Sequence, residues 1–145
     1  MFAELKKEKA AAIAKEQYER LGEICNEIGN FLSDLGNFDD ALCEHKEEAH
    51  YCDITGDHLG KGVALRKQAE CEIQLGEYQN AIKHSLKFIQ VAEKHRNVLE
   101  KQRAHANMGY IYYETAVHEE VKEVKKEYLT KAKSALLKSL DICER

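Results

Sequence analysis

Apolar residues recur every three or four positions in long stretches of this chain, and glycine or asparagine separates the stretches. Residues 20–35, for example, carry Leu21, Ile24, Ile28 and Leu32 among polar neighbours. Such a period places one apolar stripe along a helix that packs against a core. The pattern predicts helices at about 20–35, 38–54, 59–75, 78–95, 98–116 and 124–144.

A short motif is written twice at a fixed interval. LGNFDDALCEH at 35–45 returns as LGEYQNAIKHS at 75–85, and the small residues Gly29, Ala69 and Gly109 are each forty apart. Small residues let two helices approach closely, and the Leu-Gly pair ends the first helix because glycine adopts the left-handed conformation easily. The spacing resembles the tetratricopeptide family. It predicts an all-α fold, a tetratricopeptide-like right-handed superhelix of antiparallel helix pairs with repeats of about forty residues.

We predict a single domain over residues 1–145. Residues 1–17 form a capping helix, 18–57 repeat one, 58–97 repeat two and 98–145 repeat three. The first stretch, from Phe2 to about Gln17, is rich in alanine and lysine and aligns loosely with the second helix of a unit. Because no glycine or asparagine marks a bend near Glu16, this stretch could instead continue straight into the next helix.

The third unit breaks the forty-residue rhythm. Twelve residues past Gly109 comes Val121, whereas the alanine that fits the pattern is Ala132, which leaves 132 − 121 = 11 extra residues. We place this insert near 114–127, where it could lengthen a helix or form a loop. Repeat arrays end in a polar cap, and Leu136 and Leu140 do not suit one. The expectation is a fragment of a longer solenoid, or a surface that pairs with another copy.

Composition and charge exclude several classes of protein. Of 145 residues, 43% are hydrophobic and 33% charged, with no proline or tryptophan, as in folded helical proteins. The net charge of -4 argues against direct nucleic-acid binding. No apolar run is long enough to cross a membrane, and no secretory signal is recognisable. Five cysteines without a disulfide spacing indicate free thiols in a reducing compartment.

Chemical motifs are weak. CEHKEEAHYC at 43–52 offers Cys43, His45, His50 and Cys52. On a helix, residues two apart point in opposite directions, so these four ligands cannot converge on zinc. HEEVK at 118–122 has lysine where a zinc-protease helix needs a second histidine. No nucleophile motif or phosphate-binding loop is present. We therefore predict no catalytic residues, no metal, no cofactor and no small-molecule substrate.

The inner, concave face of such an array is lined by the first helix of each unit, and there we expect an extended peptide to bind. Counting from each small residue gives nine candidates: Asn26, Glu27, Asn30, Arg66, Glu70, Arg103, Asn107, Tyr110 and Tyr113. Amide and guanidinium groups can hold a peptide backbone, and tyrosines supply apolar contact at low entropic cost. Exposed helices also carry polar residues without any ligand, and Arg66–Glu70 is an ordinary i,i+4 pair.

The order of motifs resembles the N-terminal tetratricopeptide region of Tonsoku-like proteins, replication-associated repair scaffolds. The resemblance rests on GNFDDALCEHKEE (36–48), TGDHLGKGVALRKQAE (55–70), GEYQNAIKH (76–84), EKQRAHANMG (100–109) and KAKSALLKSLDI (131–142), which follows the insert. It implies a nuclear adaptor, with the cytoplasm as second choice. It further implies binding to a core-histone tail and to repair-scaffold proteins in homologous recombination, and no membrane or direct nucleic-acid partner.

The chain departs from the family one residue after each small position. Family members carry acids in the first two units and arginine in the third, whereas here the residues are Asn30, Glu70 and Tyr110. Glu27 and Asp34 are substitutes for the missing acid. The alternative is a polarity-type tetratricopeptide adaptor that binds acidic partner peptides through asparagine and arginine side chains. Less complete matches are a chaperone-tail clamp and self-assembly through the last helix.

Overall fold

The computed structural model describes residues 2–144, and within that span every regular element is a helix. Seven helices follow one another without a strand: α1 Phe2–Ala14, α2 Tyr18–Asp34, α3 Phe38–Thr55, α4 His58–Gln74, α5 Tyr78–Lys94, α6 Val98–Val117 and α7 Lys122–Glu144. The predicted all-α, tetratricopeptide-like repeat is confirmed, and the predicted helix boundaries agree within a few residues. The division into a cap and three repeats stays an interpretation.

A left-handed residue stands between successive helices once every twenty positions. Glu16, Gly36, Gly56, Gly76 and Arg96 all have φ between 51° and 79°. The residue that follows each of them donates its N–H to the carbonyl five positions earlier, as Asn37 does to Leu32 at 2.9 Å. This bond satisfies a carbonyl that the helix end leaves free. The same turn therefore reverses the chain five times.

The first of these turns corrects one alternative. The chain does not run straight from the first helix into the second, because α1 ends at Ala14 and Glu16 takes the left-handed conformation without being glycine. Leu5 and Ala12 are buried in a cluster with α2 residues such as Leu21. They precede His45 and Cys52 by forty residues, and those residues are buried in the same way. Helix α1 thus occupies the place of the second helix of a unit.

The helices pack in chain order, each against the next. In addition the backbones of α2 and α4, and of α4 and α6, approach each other closely, whereas within residues 2–144 no Cα of α5 lies within 8 Å of a Cα of α3 or α7. Helices that touch lie closer together than helices that do not, so the array curves toward α2, α4 and α6. We call these three the inner helices.

Close approach within each unit depends on matched side-chain sizes. A methyl group added to Gly29 would lie 2.6 Å from the ring of His45, and one added to Gly109 would lie 2.6 Å from Leu136. In the second unit the equivalent residues are Ala69 and Ser85, both fully buried. A large residue on the second helix is thus matched by glycine on the first, and a small one by alanine.

The insert of the third unit is mostly helix. It lengthens α6 to Val117 and starts α7 at Lys122, so that only residues 118–121 form a connection. This part packs back onto the second unit, because the Tyr78 and His118 rings stack at 5.4 Å and Gln79 donates to the Tyr128 hydroxyl at 3.0 Å. The insert therefore both lengthens the helices and forms a short loop between them.

We expect Gly29→Ala to lower the free energy of unfolding by about 2 kcal/mol, because the new methyl group overlaps the buried His45 ring. Adding His45→Ser gives the alanine–serine pair that the second unit has at Ala69 and Ser85. The free energy of unfolding should therefore fall in the double variant by at least about 1 kcal/mol less than the sum of the losses in the two single variants. Urea unfolding of all four proteins measures this coupling.

Gly22→Ala is the matched control, because its methyl group would meet only the Cβ of Tyr51 at 3.9 Å. It should stabilise the protein by up to about 1 kcal/mol through helix propensity. Additive losses for Gly29→Ala and His45→Ser would contradict the size-matching argument.

The left-handed turns give a second prediction. Arg96→Gly should raise the free energy of unfolding by about 0.5–1 kcal/mol, since glycine adopts a φ of 51° without the strain of a side chain. The reverse change, Gly36→Ala, should lower it by about 1 kcal/mol, although no atom lies within 4 Å of the added methyl group. Thermal unfolding compares the two, and a shift of the same sign in both variants would refute the backbone explanation.

Candidate functional site

Two open clefts lie along the inner helices. The first, with a volume of about 380 Å³, is formed by the N-terminal halves of α2 and α4 and the end of α3. Its lining includes Tyr18, Glu23, Asn26, Glu48, Tyr51 and Asp57. The second, of about 430 Å³, is formed by the C-terminal halves of α2 and α4, the start of α3 and the middle of α6. Its lining includes Asp34, Phe38, Lys67, Glu70, Gln74 and Tyr110.

The structure divides the nine predicted peptide-binding residues among different environments. Asn26 lines the first cleft, and Glu70 and Tyr110 meet in the second. The other six lie on the inner helices but line neither cleft: Arg66, Asn107, Glu27, Asn30, Arg103 and Tyr113. Of these, Glu27, Arg103 and Tyr113 are exposed and Asn30 is half-buried.

Asn107 is not on the open face. It is 6% exposed, and its Oδ1 accepts a hydrogen bond of 2.7 Å from the Ser85 hydroxyl of α5. A buried amide that has a buried partner belongs to the packing between α5 and α6. The expectation that Asn107 contacts a peptide is therefore corrected.

Two predicted residues carry buried polar atoms without a hydrogen-bond partner. They are Oδ1 of Asn26 and Nε of Arg66. The two residues are forty apart, so they hold equivalent positions on the adjacent inner helices α2 and α4. Buried polar groups normally have partners, because leaving one unpaired costs about 1–3 kcal/mol. The pair therefore marks a place where one hydrogen-bond donor and one acceptor are missing.

The Arg66–Glu70 pair is loose. Nε of Arg66 lies 3.8 Å from Oε1 of Glu70, which is within ion-pair range but too long for a hydrogen bond. Both side chains are more than a third exposed, so solvent screens their attraction. Arg103 is better held, because it donates a hydrogen bond of 2.9 Å to Glu100 in the preceding turn.

Three of the four carboxylates that line the first cleft already have partners. Glu23 accepts from Arg20 at 3.0 Å, Glu48 is bonded to His45 at 3.0 Å, and Asp57 caps α4 by accepting from the N–H of Gly60 at 2.9 Å. Burial raises the pKa of the Glu48 carboxyl, which the bond to His45 only partly offsets. Each of these bonds lies within one helix or at its start, so it fixes the carboxylate locally.

Cys25, Glu44 and Glu47 converge closely enough to hold a metal ion. The ammonium group of Lys9 already stands among them, 2.9 Å from an oxygen of each carboxylate. Burial by itself would lower the pKa of Lys9, but its hydrogen bonds to Glu47 and Glu44 outweigh this and raise it. The lysine therefore stays charged and fixes α1 to α3, and the cluster forms an internal ion pair.

The histidines and cysteines of residues 43–52 face two ways, as helical geometry predicts. Cys43 and His50 are exposed, whereas His45 and Cys52 are buried. The HEEVK segment is not continuous helix either, since His118 ends α6 and residues 119–121 connect it to α7. Neither motif offers the ligand geometry of a zinc site.

The outer side of α7 is apolar and uncovered. Leu136 is 45% exposed and Leu140 58%. Leu136 holds the place of His45 and Ser85 opposite the small residue of its unit, and both of those are fully buried because α4 and α6 cover them. The expectation that this surface pairs with another copy stays a prediction. None of the helices between residues 2 and 144 is long and apolar enough to cross a bilayer.

Sequence reasoning missed several residues of the two clefts. Tyr18, Tyr51 and Phe38 stand at or near helix starts and ends, where the fixed offset from the small residue does not reach. Gln74 follows Glu70 by one helical turn, so the i,i+4 rule could have found it. Asp34, considered only as a substitute acid, reaches the same cleft as Glu70.

Three curated proteins named Tonsoku-like protein are similar to the chain. Those of Bos taurus and Mus musculus are 30% and 32% identical to it over 141 residues, 97% of this chain. That of Drosophila melanogaster is 28% identical over 106 residues, 73% of this chain. The chain spans about a tenth of the length of these relatives. No protein-family model matches it. The resemblance inferred from the motifs is confirmed.

The different burial of the cysteines gives a testable prediction. Burial raises the pKa of the Cys25 and Cys71 thiols, and that of Cys52 to about 12, whereas Cys43 is exposed. Because the thiolate is the reactive form, Cys43 should be alkylated about 100-fold or more faster than these three at pH 8. Iodoacetamide labelling followed by peptide mass spectrometry checks this, with denatured protein as control. Rapid native labelling of Cys25 would show that the cluster around Lys9 opens.

Proposed function

We propose that this chain, which resembles Tonsoku-like proteins over nearly its whole length, binds a basic core-histone tail along its inner helices. The helical-repeat fold and the similar proteins support a protein-interaction scaffold rather than an enzyme. The tail lies extended across α2, α4 and α6, and recognition is non-covalent. No cofactor or small-molecule substrate takes part in the proposed function.

One observation carries the proposal. Asn26 presents an unpaired acceptor, Oδ1, and Arg66 an unpaired donor, Nε, at equivalent positions of neighbouring inner helices. An extended peptide supplies an N–H and a C=O from every residue. A bound backbone pairs with both atoms once these covered groups turn toward it, without regard to the side chains of the peptide, and such pairing is how polar groups fix the orientation of a ligand.

Charge favours a basic ligand over an acidic one. Glu19 in the first cleft and Asp34 and Glu70 in the second face open space on the inner side. Of the cations that an acidic peptide would need, Arg103 is already bonded to Glu100. Complementary charge steers a ligand to its site and rejects ligands of the wrong sign.

The cellular role follows from the resemblance. We infer a nuclear scaffold that acts with repair proteins in replication-coupled DNA repair and homologous recombination. The relatives are about ten times longer than this chain, so this role belongs to the proposal and concerns the contribution of one module.

A second candidate is the polarity-type adaptor that binds acidic peptides. Asn26, Arg66 and Arg103 provide the amide and guanidinium groups that such a ligand uses. Arg103 is the observation in its favour, since its side chain is 54% exposed despite the bond to Glu100. The two candidates differ in the sign of the ligand's charge.

We expect an unmodified core-histone tail peptide to bind the protein saturably in isothermal titration calorimetry, and an acidic peptide of equal length not to bind. Glu70→Lys should weaken binding at least about tenfold, because it replaces an attractive charge by a repulsive one, and higher salt should weaken it further. The matched control is Glu93→Lys on α5, an exposed site outside both clefts.

The outcomes separate the candidates. Preference for the acidic peptide would overturn the histone-tail proposal and favour the adaptor. Equal loss of affinity in Glu70→Lys and Glu93→Lys would mean that only the net charge matters, which contradicts a site on the inner helices.

A further inference from the structure

We propose that the second cleft holds one lysine or arginine side chain of the bound peptide, between Phe38 and Tyr110 and against the carboxylates of Asp34 and Glu70. The inference rests on the proposed function and goes further, because it assigns one subsite and the class of side chain that fills it. The resemblance and the sequence pattern assign no such pocket.

The cleft is built from three units around α4. Glu70, Cys71 and Gln74 lie on α4 in the middle, Phe38 comes from the start of α3, and Tyr110 from α6. Helices α2 and α6 flank α4 on opposite sides, so the two aromatic rings border the cleft from opposite sides. Aromatic faces attract a cation through their quadrupole, and the stem of a long cationic side chain covers apolar surface well.

The carboxylates of Asp34 and Glu70 make no hydrogen bond to any residue of the described span. Asp34 is exposed at the end of α2 and makes no ion pair with any residue in the described span. Glu70 lies 3.8 Å from Nε of Arg66 and makes no hydrogen bond to it. In the first cleft, by contrast, Glu23, Glu48 and Asp57 all have hydrogen-bond partners. The second cleft therefore offers a cation two carboxylates without a hydrogen bond, whereas the first offers only Glu19.

The remaining polar groups of the cleft fit the same ligand. Burial raises the pKa of Tyr110, and the carboxylates of Glu114 and Glu70 raise it further, so its hydroxyl stays protonated. The neutral hydroxyl adds no negative charge and can donate to a peptide carbonyl beside the bound side chain. Two cations oppose an incoming charge: Lys67, which lines the cleft, and Arg66, whose Nε lies 3.8 Å from Oε1 of Glu70. The flexible stem of Lys67 lets its ammonium group move away.

The test combines a peptide scan with a double variant. Each lysine and arginine of the core-histone tail peptide is replaced in turn by norleucine, which keeps the stem and removes the charge. Titrations are run with the wild-type protein and with Asp34→Asn/Glu70→Gln. We expect one replacement to weaken binding to the wild type at least about tenfold, and to change binding to the variant by less than about twofold.

Matched controls separate a local site from a general charge effect. Glu93→Gln/Glu123→Gln removes two exposed carboxylates from α5 and α7, away from both clefts, and should keep the tenfold effect of the same replacement. Lys67→Gln should tighten binding of the unmodified tail several-fold, because it removes the one cation that lines the cleft. Circular dichroism confirms that each variant keeps its helix content.

Each outcome decides between the two proposals. If the tail does not bind the wild type, the proposed function fails and the subsite with it. If the tail binds but every replacement weakens binding to Asp34→Asn/Glu70→Gln as much as it weakens binding to the wild type, the function stands and the subsite is overturned. If the replacement that weakens binding to the wild type tenfold has little effect in the control variant Glu93→Gln/Glu123→Gln as well, the effect is long-range electrostatics, and the subsite is again overturned.

Discussion

A left-handed residue every twenty positions is the constraint on which the rest of this structure depends. It reverses the chain in the same way after each of the first five helices, so helices α1 to α6 are antiparallel to their neighbours and start at a fixed offset. Glycine meets the constraint without strain at three of the five turns, and Glu16 and Arg96 meet it against their preference. Because the turn geometry is constant, equivalent side chains recur at equivalent places in every unit.

Constant geometry forces side-chain sizes to be matched across each helix pair. Gly29 admits the His45 ring, and Gly109 admits Leu136. Helices held this close leave little space inside a unit, and the inner helices of successive units then also touch. The open space that remains lies along α2, α4 and α6, which is where both clefts are found. A ligand-sized surface is thus a consequence of tight packing elsewhere.

The pairing of charges decides what this surface can bind. Glu23, Glu48 and Asp57 of the first cleft are held by hydrogen bonds within their own helix or at its start, whereas the carboxylates of Asp34 and Glu70 in the second make no hydrogen bond in the part of the chain that the structure describes. Asn26 and Arg66 each carry an unpaired polar atom. In the proposed function, these two residues hold the peptide backbone, whereas Asp34 and Glu70 hold one of its side chains. Neither property follows from composition, since the net charge of -4 is unremarkable for a chain of this length.

The sequence by itself determined the all-helical repeat, its period and the positions of the small residues, because turn chemistry and helical periodicity are local. It also located Glu70 and Tyr110, each at a fixed offset from a small residue, and these two side chains line the same cleft. Only the tertiary structure decided that Asn107 is buried against Ser85 and that Phe38 and Asp34 line the same cleft as Glu70. It also decided which carboxylates have hydrogen-bond partners. Those outcomes depend on side chains from other units, whose distances no local pattern encodes.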